Sequence, residues 1–333
     1  MSRWLTAVLA ALLSCMTGKR PTILVTEGSH PTPLAWLKEQ ADVLEVGPDD
    51  AGFAAAPASA DGMVVRSYTN VDAKLLDGAP RLKVVGRGGV GLEHIDVAAC
   101  RERGIEVVYT PDANTQAVAE FVAGLMVKLV RPWHANKLAP WTNEHFKSLR
   151  KDAGEHLCDL TLGILGMGRV GHAVAKVAVH GFGMNVIYHD LLPVEPPAGT
   201  SSVALEELLQ RCDLLSLHVD GRPSNAGLID EDALTAGRFR WLINTSRGPV
   251  VDAAAVHDAL HQGKLEGVAL DVYDPEPPPA ESGYATLLND FPDRVILTPH
   301  MASRTKRAVE NMSWVVRDVV SVATGEAAKH PVP

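Results

Sequence analysis

TLGILGMGRVGHAVAKVAVHGFGMNVIYHD, Thr161 to Asp190, is the stretch that decides the fold. The apolar run Leu162 to Leu165 reads as a strand that enters Gly166, Gly168 and Gly171, spaced G-x-G-x-x-G. An Ala/Val-rich helical segment follows, then a second apolar strand, Met184 to Tyr188, that stops at Asp190. Gly166 permits the tight turn out of the strand, and Gly168 lets backbone N–H groups approach a pyrophosphate. Gly171 lets the helix lie close to the sheet, and the helix start at Arg169 and Val170 turns its N-terminus toward the negative charge. Strand, glycine turn, helix, strand and acid in that order separate the motif from a chance glycine cluster in a loop. The Asp190 carboxylate can accept from ribose hydroxyls and would repel a 2′-phosphate, so NAD is expected over NADP.

The chain has 333 residues, enough for two domains with separate cores. Its net charge of −9 argues against a nucleic-acid surface, which needs clustered Lys and Arg; no basic run exceeds Lys19-Arg20. The four cysteines, Cys15, Cys100, Cys158 and Cys212, lack metal or C-x-x-C spacing and read as reduced, at least half-buried thiols. Residues 1–18 carry one Arg and an apolar run from Trp4 to Leu13. They fit a leader or transit peptide, a packed helix or an early start; a cytoplasmic location, where the cofactor is plentiful, is the expectation. The run is too short to span a bilayer comfortably, and no other stretch suggests a membrane.

Outward from the glycine turn the pattern is β/α. Upstream, short apolar strands at Ile23–Thr26, Val43–Val46, Gly62–Ser67, Lys83–Gly86 and Ile105–Tyr109 alternate with helices at Thr32–Gln40, Val71–Leu76 and His94–Arg103. Such alternation predicts a parallel sheet covered on both faces. A long helix is expected over Asn114–Val130, then irregular sequence to Glu155. Downstream, strands at Leu214–Val219, Arg240–Asn244, Val268–Val272 and Val295–Thr298 alternate with helices at Val203–Arg211, Glu231–Ala236 and Ala253–His261. A last amphipathic helix, N-capped by Ser303 and reaching Ala323, returns to the first unit.

Ligands of open α/β sheets bind beyond the carboxyl ends of the strands. Three polar groups fall there: Ser246 and Arg247 in INTSRG, Asp271 and Glu276 in ALDVYDPEPP, and His300 in LTPHMAS. Arg247 offers a planar fork for a carboxylate. His300 can transfer a proton near neutral pH, and a neighbouring Glu276 would fix its tautomer and stabilise its cation. Singly, each has an ordinary structural use; jointly, at strand ends beside a dinucleotide turn, they point to chemistry.

LGILGMGRVG, INTSRGPVVD, GVALDVYDPEPP and LTPHMAS together resemble the NAD-dependent D-2-hydroxyacid dehydrogenases, which include phosphoglycerate dehydrogenase and the glyoxylate/hydroxypyruvate reductases. The resemblance runs from about Pro21 to Ala323. It implies an α/β chain of two Rossmann-like, doubly wound parallel-sheet domains, the nucleotide domain inserted into a flavodoxin-like substrate domain. Residues 21–112 and 302–333 would form the substrate domain, 113–301 the NAD-binding domain, and 1–20 an N-terminal extension. It further implies a triad of Arg247, Glu276 and His300, with Asp271 near the nicotinamide carboxamide. The turn Arg87, Gly88, Gly89, Val90, Gly91 would bind the substrate carboxylate through backbone N–H groups, beside Arg66 and Ser67. Hinges near Pro111–Asn114 and Pro299–Ser303 would close the domains. Family members are generally homodimers joined through their nucleotide domains.

The chain departs from the family in HVDGRPSN, where the family usually has His-Thr-Pro-Leu beside the nicotinamide ribose, so that Val219-Asp220 follows His218 in place of the usual pair, and in Leu191, which replaces a common proline after Asp190. Arg66 and Arg87 together could hold a phosphate, which places D-3-phosphoglycerate ahead of glyoxylate or hydroxypyruvate. A rival of another class is an NAD(H)-sensing, corepressor-like binding protein. Formate dehydrogenases resemble the pattern with a glutamine where Glu276 stands.

Overall fold

The computed structural model describes residues 20–132, 139 and 141–333, so the expectations for residues 1–18 lie outside the described residues. The chain divides into two compact units: the residues up to Asn114 with Thr305–Pro333, and Thr115–Arg304. These boundaries differ by two or three residues from those expected, 112/113 and 301/302.

In the first unit five parallel strands, β1 (Thr22–Val25), β2 (Asp42–Glu45), β3 (Gly62–Val65), β4 (Val84–Arg87) and β5 (Glu106–Tyr109), lie in the order β2-β1-β3-β4-β5. This is the flavodoxin order, whose direction of winding reverses between β1 and β3. One face is covered by the helix Val316–Ala323: Val315, Val316, Val319 and Ala323 pack on Ile23, Val64, Val84 and Val108. The helix lies so close that a Cβ on Gly86 would sit 2.3 Å from Val319 Cγ2. Each Val or Ile buried this way contributes about 1.5–3 kcal/mol. The single C-terminal helix expected from the sequence is two, Lys306–Ser313 and Val316–Ala323, and its cap is Thr305, not Ser303. The break follows Ser313, whose hydroxyl donates to Val309 O and accepts from His30 N; such back-bonding bends helices.

The second unit has seven parallel strands: β6 (Thr161–Leu165), β7 (Asn185–His189), β8 (Thr200–Ser202), β9 (Leu214–Leu217), β10 (Trp241–Asn244), β11 (Gly267–Leu270) and β12 (Val295–Leu297). Their order is β12-β11-β10-β9-β6-β7-β8, a Rossmann sheet reversing between β6 and β9. The helix Thr115–Val130 buries Val118, Val122 and Met126 against Leu162, Ile164 and Ile243, and Val256, Leu260 and Leu287 cover the other face with Leu215 and Leu242. Three elements escape a reading by apolar pattern. β8 is a short polar edge strand, and the helix Asn143–Leu149 buries no residue. The helix Gly283–Asp290 buries only Tyr284 and Leu287, behind a proline-rich loop.

Cys100 and Cys212 are buried, and burial, with Asp96 and Asp213 adding, pushes their thiols up to about 11 and about 12. Cys158 is exposed, contrary to the expectation, because it lies in the short 3-10 turn Leu157–Asp159 in which only Leu157 is buried. No helix of the described residues is long and apolar enough to cross a membrane.

Candidate active site

At the β6/β9 reversal the glycine turn is built by contact. A Cβ on Gly166 (φ 93°) would lie 2.7 Å from His218 O, and one on Gly171 2.1 Å from Gly166 O. The residues just past β9, His218 and Val219, therefore rest on the turn, and the helix Arg169–Val177, with Val170 in its first turn, starts against it. Gly168, the N-cap, is different: a Cβ there meets nothing within 4 Å. That open space in front of a helix N-terminus suits a pyrophosphate. Asp190 Oδ2 accepts from Met167 N at 2.7 Å, so the carboxylate is anchored on the turn, while Oδ1 accepts from Leu192 N. His218 Nε2 lies 2.9 Å from Ser216 Oγ, and burial pushes the imidazole down to about 3, which leaves it neutral. Asp220 forms an ion pair with Arg222, and Arg222 and Arg247 hold its carboxyl below the usual range.

The loops after β10, β11 and β12 form a second assembly at the same end of the sheet. Asn244, 1% exposed, folds the first: its Oδ1 accepts from Ser246 N and Oγ, and its Nδ2 donates to Arg247 O. Arg247 Nη1 donates to Ser246 O. A Cβ on Gly248 would be 1.8 Å from Tyr273 O, so only glycine lets the first loop lie on the second. Tyr273 Oη donates to Thr298 O and ties in the third. Asp271, fully buried, lies just past β11 rather than in the strand. Its carboxylate accepts from Thr298 Oγ1, Met301 N and Ala302 N, and its carbonyl accepts from His300 N. Thus clamped, His300 adopts φ 51°, a left-handed conformation costing a non-glycine residue roughly 1–2 kcal/mol. Its Nδ1 lies 2.6 Å from Glu276 Oε1, with side chains 47% and 38% exposed. The ring is fixed through one nitrogen, and Nε2 is left to give or take a proton.

Thr245 Oγ1, between Asn244 and Ser246, is buried with no partner among the described residues. An orphaned hydroxyl in the loop after β10 and an open glycine turn both fit a dinucleotide.

In the first unit, Arg66 and Ser67 follow β3, and Arg87 ends β4, with the glycine loop directly after it. Arg87 is used otherwise than expected. Its Nε donates to Gly91 O and its Nη1 to Gly88 O, so much of the fork staples its own loop. Arg66 Nη1 donates to Gly28 O. Gly88 N and Gly89 N donate to Val65 O and Arg87 O, whereas the N–H groups of Val90 and Gly91 meet no acceptor among the described residues. Asn244, Gly248, Tyr273 and Thr298 carry no chemical signature of their own, and sequence reasoning missed them as site builders. Their spacing from Arg247 and His300 was the one available signal.

Comparison with known proteins identifies the family. The family described as D-isomer specific 2-hydroxyacid dehydrogenase, NAD binding domain, matches residues 123–302. The chain is 35% identical over 314 residues to a D-3-phosphoglycerate dehydrogenase of Mycobacterium bovis, covering 91% of this chain and 57% of that protein. It is 34% identical over 328 residues to a glyoxylate reductase of Thermofilum pendens, covering 92% and 93%. A Thermus thermophilus protein of solved structure superposes with a TM-score of 0.83 at 34% identity, over 94% of this chain and 100% of that one. The chain spans little more than half the length of the phosphoglycerate dehydrogenases it matches. With the family match covering more than half of its residues, the chain belongs to the D-isomer specific 2-hydroxyacid dehydrogenases and carries their NAD-binding domain.

Proposed function

We propose that the protein is an NAD-dependent oxidoreductase acting at C2 of a small D-2-hydroxy acid or 2-keto acid. The single observation that carries the reading is the His300–Glu276 pair, 2.6 Å apart at the end of the sheet that bears the glycine turn. Bound NAD(H) would supply or accept the hydride. Gly166, Gly168, Arg169, Val170 and Gly171 would hold its pyrophosphate, Asp190 its ribose, and His218, Val219 and Ser246 the nicotinamide end. Arg247 would grip the substrate carboxylate with its fork, and His300 Nε2 would protonate the carbonyl oxygen or deprotonate the hydroxyl. Glu276 stabilises the imidazolium that forms, and Asp271 acts through the loop that bears the histidine.

Within the first unit, the Val90 and Gly91 N–H groups would offer donors to a substrate carboxylate. A phosphorylated substrate would rely on Arg66, since Arg87 staples its loop. That observation moves the unphosphorylated acids, glyoxylate and hydroxypyruvate, level with D-3-phosphoglycerate. We further propose a cytoplasmic homodimer joined through Thr115–Arg304, without nucleic-acid or membrane partners. The helix Asn143–Leu149, with Trp141 and Phe146 75% and 43% exposed, supports the dimer, and light scattering that read a single-chain mass would refute it.

The test of function is NADH and NADPH oxidation with 3-phosphohydroxypyruvate, hydroxypyruvate, glyoxylate and pyruvate. Turnover with at least one acid and NADH, lost by about 10²-fold or more in His300→Ala with NADH affinity kept, is expected. NADH binding without turnover of any acid would favour the sensing protein instead. Wild-type turnover in His300→Ala would remove the histidine from the mechanism.

A further inference from the structure

The first sheet has its own topological reversal, between β1 and β3, the place where open α/β sheets take their ligands. What stands there is a side chain. Glu27 follows β1, and its carboxylate accepts from four consecutive backbone N–H groups beyond β3: Arg66 at 3.0 Å, Ser67 at 2.7 Å, Tyr68 at 3.0 Å and Thr69 at 3.0 Å. The Thr69 hydroxyl adds a fifth bond at 3.0 Å and lies 2.6 Å from the buried Thr26 hydroxyl. Successive N–H groups converging on one point form an anion nest. Here the anion is supplied by the chain itself.

We infer that Glu27 is a positioning residue, a resident anion that fills the nest at the first sheet's reversal and holds the Arg66–Thr69 loop in shape. With those donors taken, the substrate carboxylate is left the Val90 and Gly91 N–H groups of the neighbouring loop; this last step rests on the function proposed above. Two features support the inference. Burial opposes the Glu27 charge, yet the N–H groups of Ser67, Arg66 and Tyr68 and the Thr69 hydroxyl outweigh it and hold the carboxyl below its usual range. Tyr68 is 81% exposed, so its backbone is held by the bond to Glu27 and not by packing of its own side chain.

Glu27→Ala in the full chain opens a nest sized for a small carboxylate. Expected is a rise in KM for hydroxypyruvate of about tenfold or more, kcat staying within about twofold. Titrated acetate or formate should bring KM back, and acetamide should not. A merely structural role would lower kcat with the folded fraction and show no such rescue. Unchanged KM, or a loss that neither anion reverses, overturns the inference. If Glu27→Ala does not fold, the isosteric Glu27→Gln serves: an intermediate rise in KM is expected, and a wild-type KM overturns it. A reading independent of turnover is the melting temperature, which acetate should raise in Glu27→Ala and not in wild type. If wild type reduces no keto acid, the proposed function fails, and this thermal shift still decides for or against the nest.

Discussion

The two sheets solve the same topological problem in opposite ways. Each reverses its winding once, between β1 and β3 in the first unit and between β6 and β9 in the second, and each reversal opens a gap between diverging loops. In the second the gap is kept empty by glycines: Gly168 faces open space, and no acidic residue occurs in the turn Gly166–Gly171. In the first the gap is closed by Glu27. A donor-lined reversal left open is a binding site, and the same reversal filled by a carboxylate is a brace. Asp190 and Asp271 show that the second unit uses braces too: Asp190 ties down Met167 N beside the cradle without filling it, and Asp271, just past the end of β11 two strands along from β9, lies under the histidine loop.

The sharpest way to break this contrast is to make the open reversal resemble the filled one. Gly168 has φ −70°, which any residue adopts, and a Cβ there meets no atom within 4 Å. Gly168→Glu should therefore fold, with its carboxylate at the helix N-terminus proposed above to hold the pyrophosphate. NADH affinity should fall about 10²-fold or more, because two anions would compete for the same donors. Fluorescence titration reads the affinity and thermal unfolding checks the fold. Wild-type affinity in a folded variant would show that the cofactor does not use this turn.

The brace under His300 should give a smaller, kinetic effect. Asp271→Asn keeps the size but turns an amide against Met301 N or Ala302 N, at a cost of about 1–3 kcal/mol for the donor left unsatisfied. The loop that holds His300 at φ 51° would loosen, and kcat should fall about tenfold with NADH affinity unchanged. If kcat is unaffected, the strained histidine does not depend on this carboxylate.

How far each region can be read from sequence follows from where its partners lie. The glycine turn is local: strand, glycines and helix are adjacent, and Asp190 ends the next strand, so pattern and spacing suffice. The pairing of His300 with Glu276 could be inferred because both follow neighbouring strands of a sheet whose order the glycine motif implies. Glu27 is another matter, since its donors lie at Arg66–Thr69 across a crossover, and nothing local marks a carboxylate after β1 as a brace. Arg87 is hard to read for a related reason. A guanidinium after a strand looks like a ligand clamp until the loop carbonyls of Gly88 and Gly91 are seen folded back onto it. The helix Asn143–Leu149 is invisible to hydrophobic pattern because it buries nothing, though Thr142, accepting from His145 N, caps it as an N-cap should.

Acid separates the two reversals with the smallest effect and the finest resolution. At the open one, burial depresses His218 to about 3, against about 6.5 for a free imidazole, so between these values the unfolded chain binds the proton more tightly. Its contribution to stability is full above about pH 6.5 and declines as the pH falls toward 3. At the filled one Glu27 is also depressed, but from a carboxyl value near 4.5, so its contribution persists above that pH and is lost as the pH drops through the folded value. Urea unfolding across this range should show the gap between wild type and His218→Gln changing from about pH 6.5 downward. The gap between wild type and Glu27→Gln should stay flat until about pH 4.5 and only then close. A Glu27→Gln gap that already narrowed near pH 6 would mean that the nest does not hold its carboxylate in the charged form, and the two reversals would then differ in shape alone.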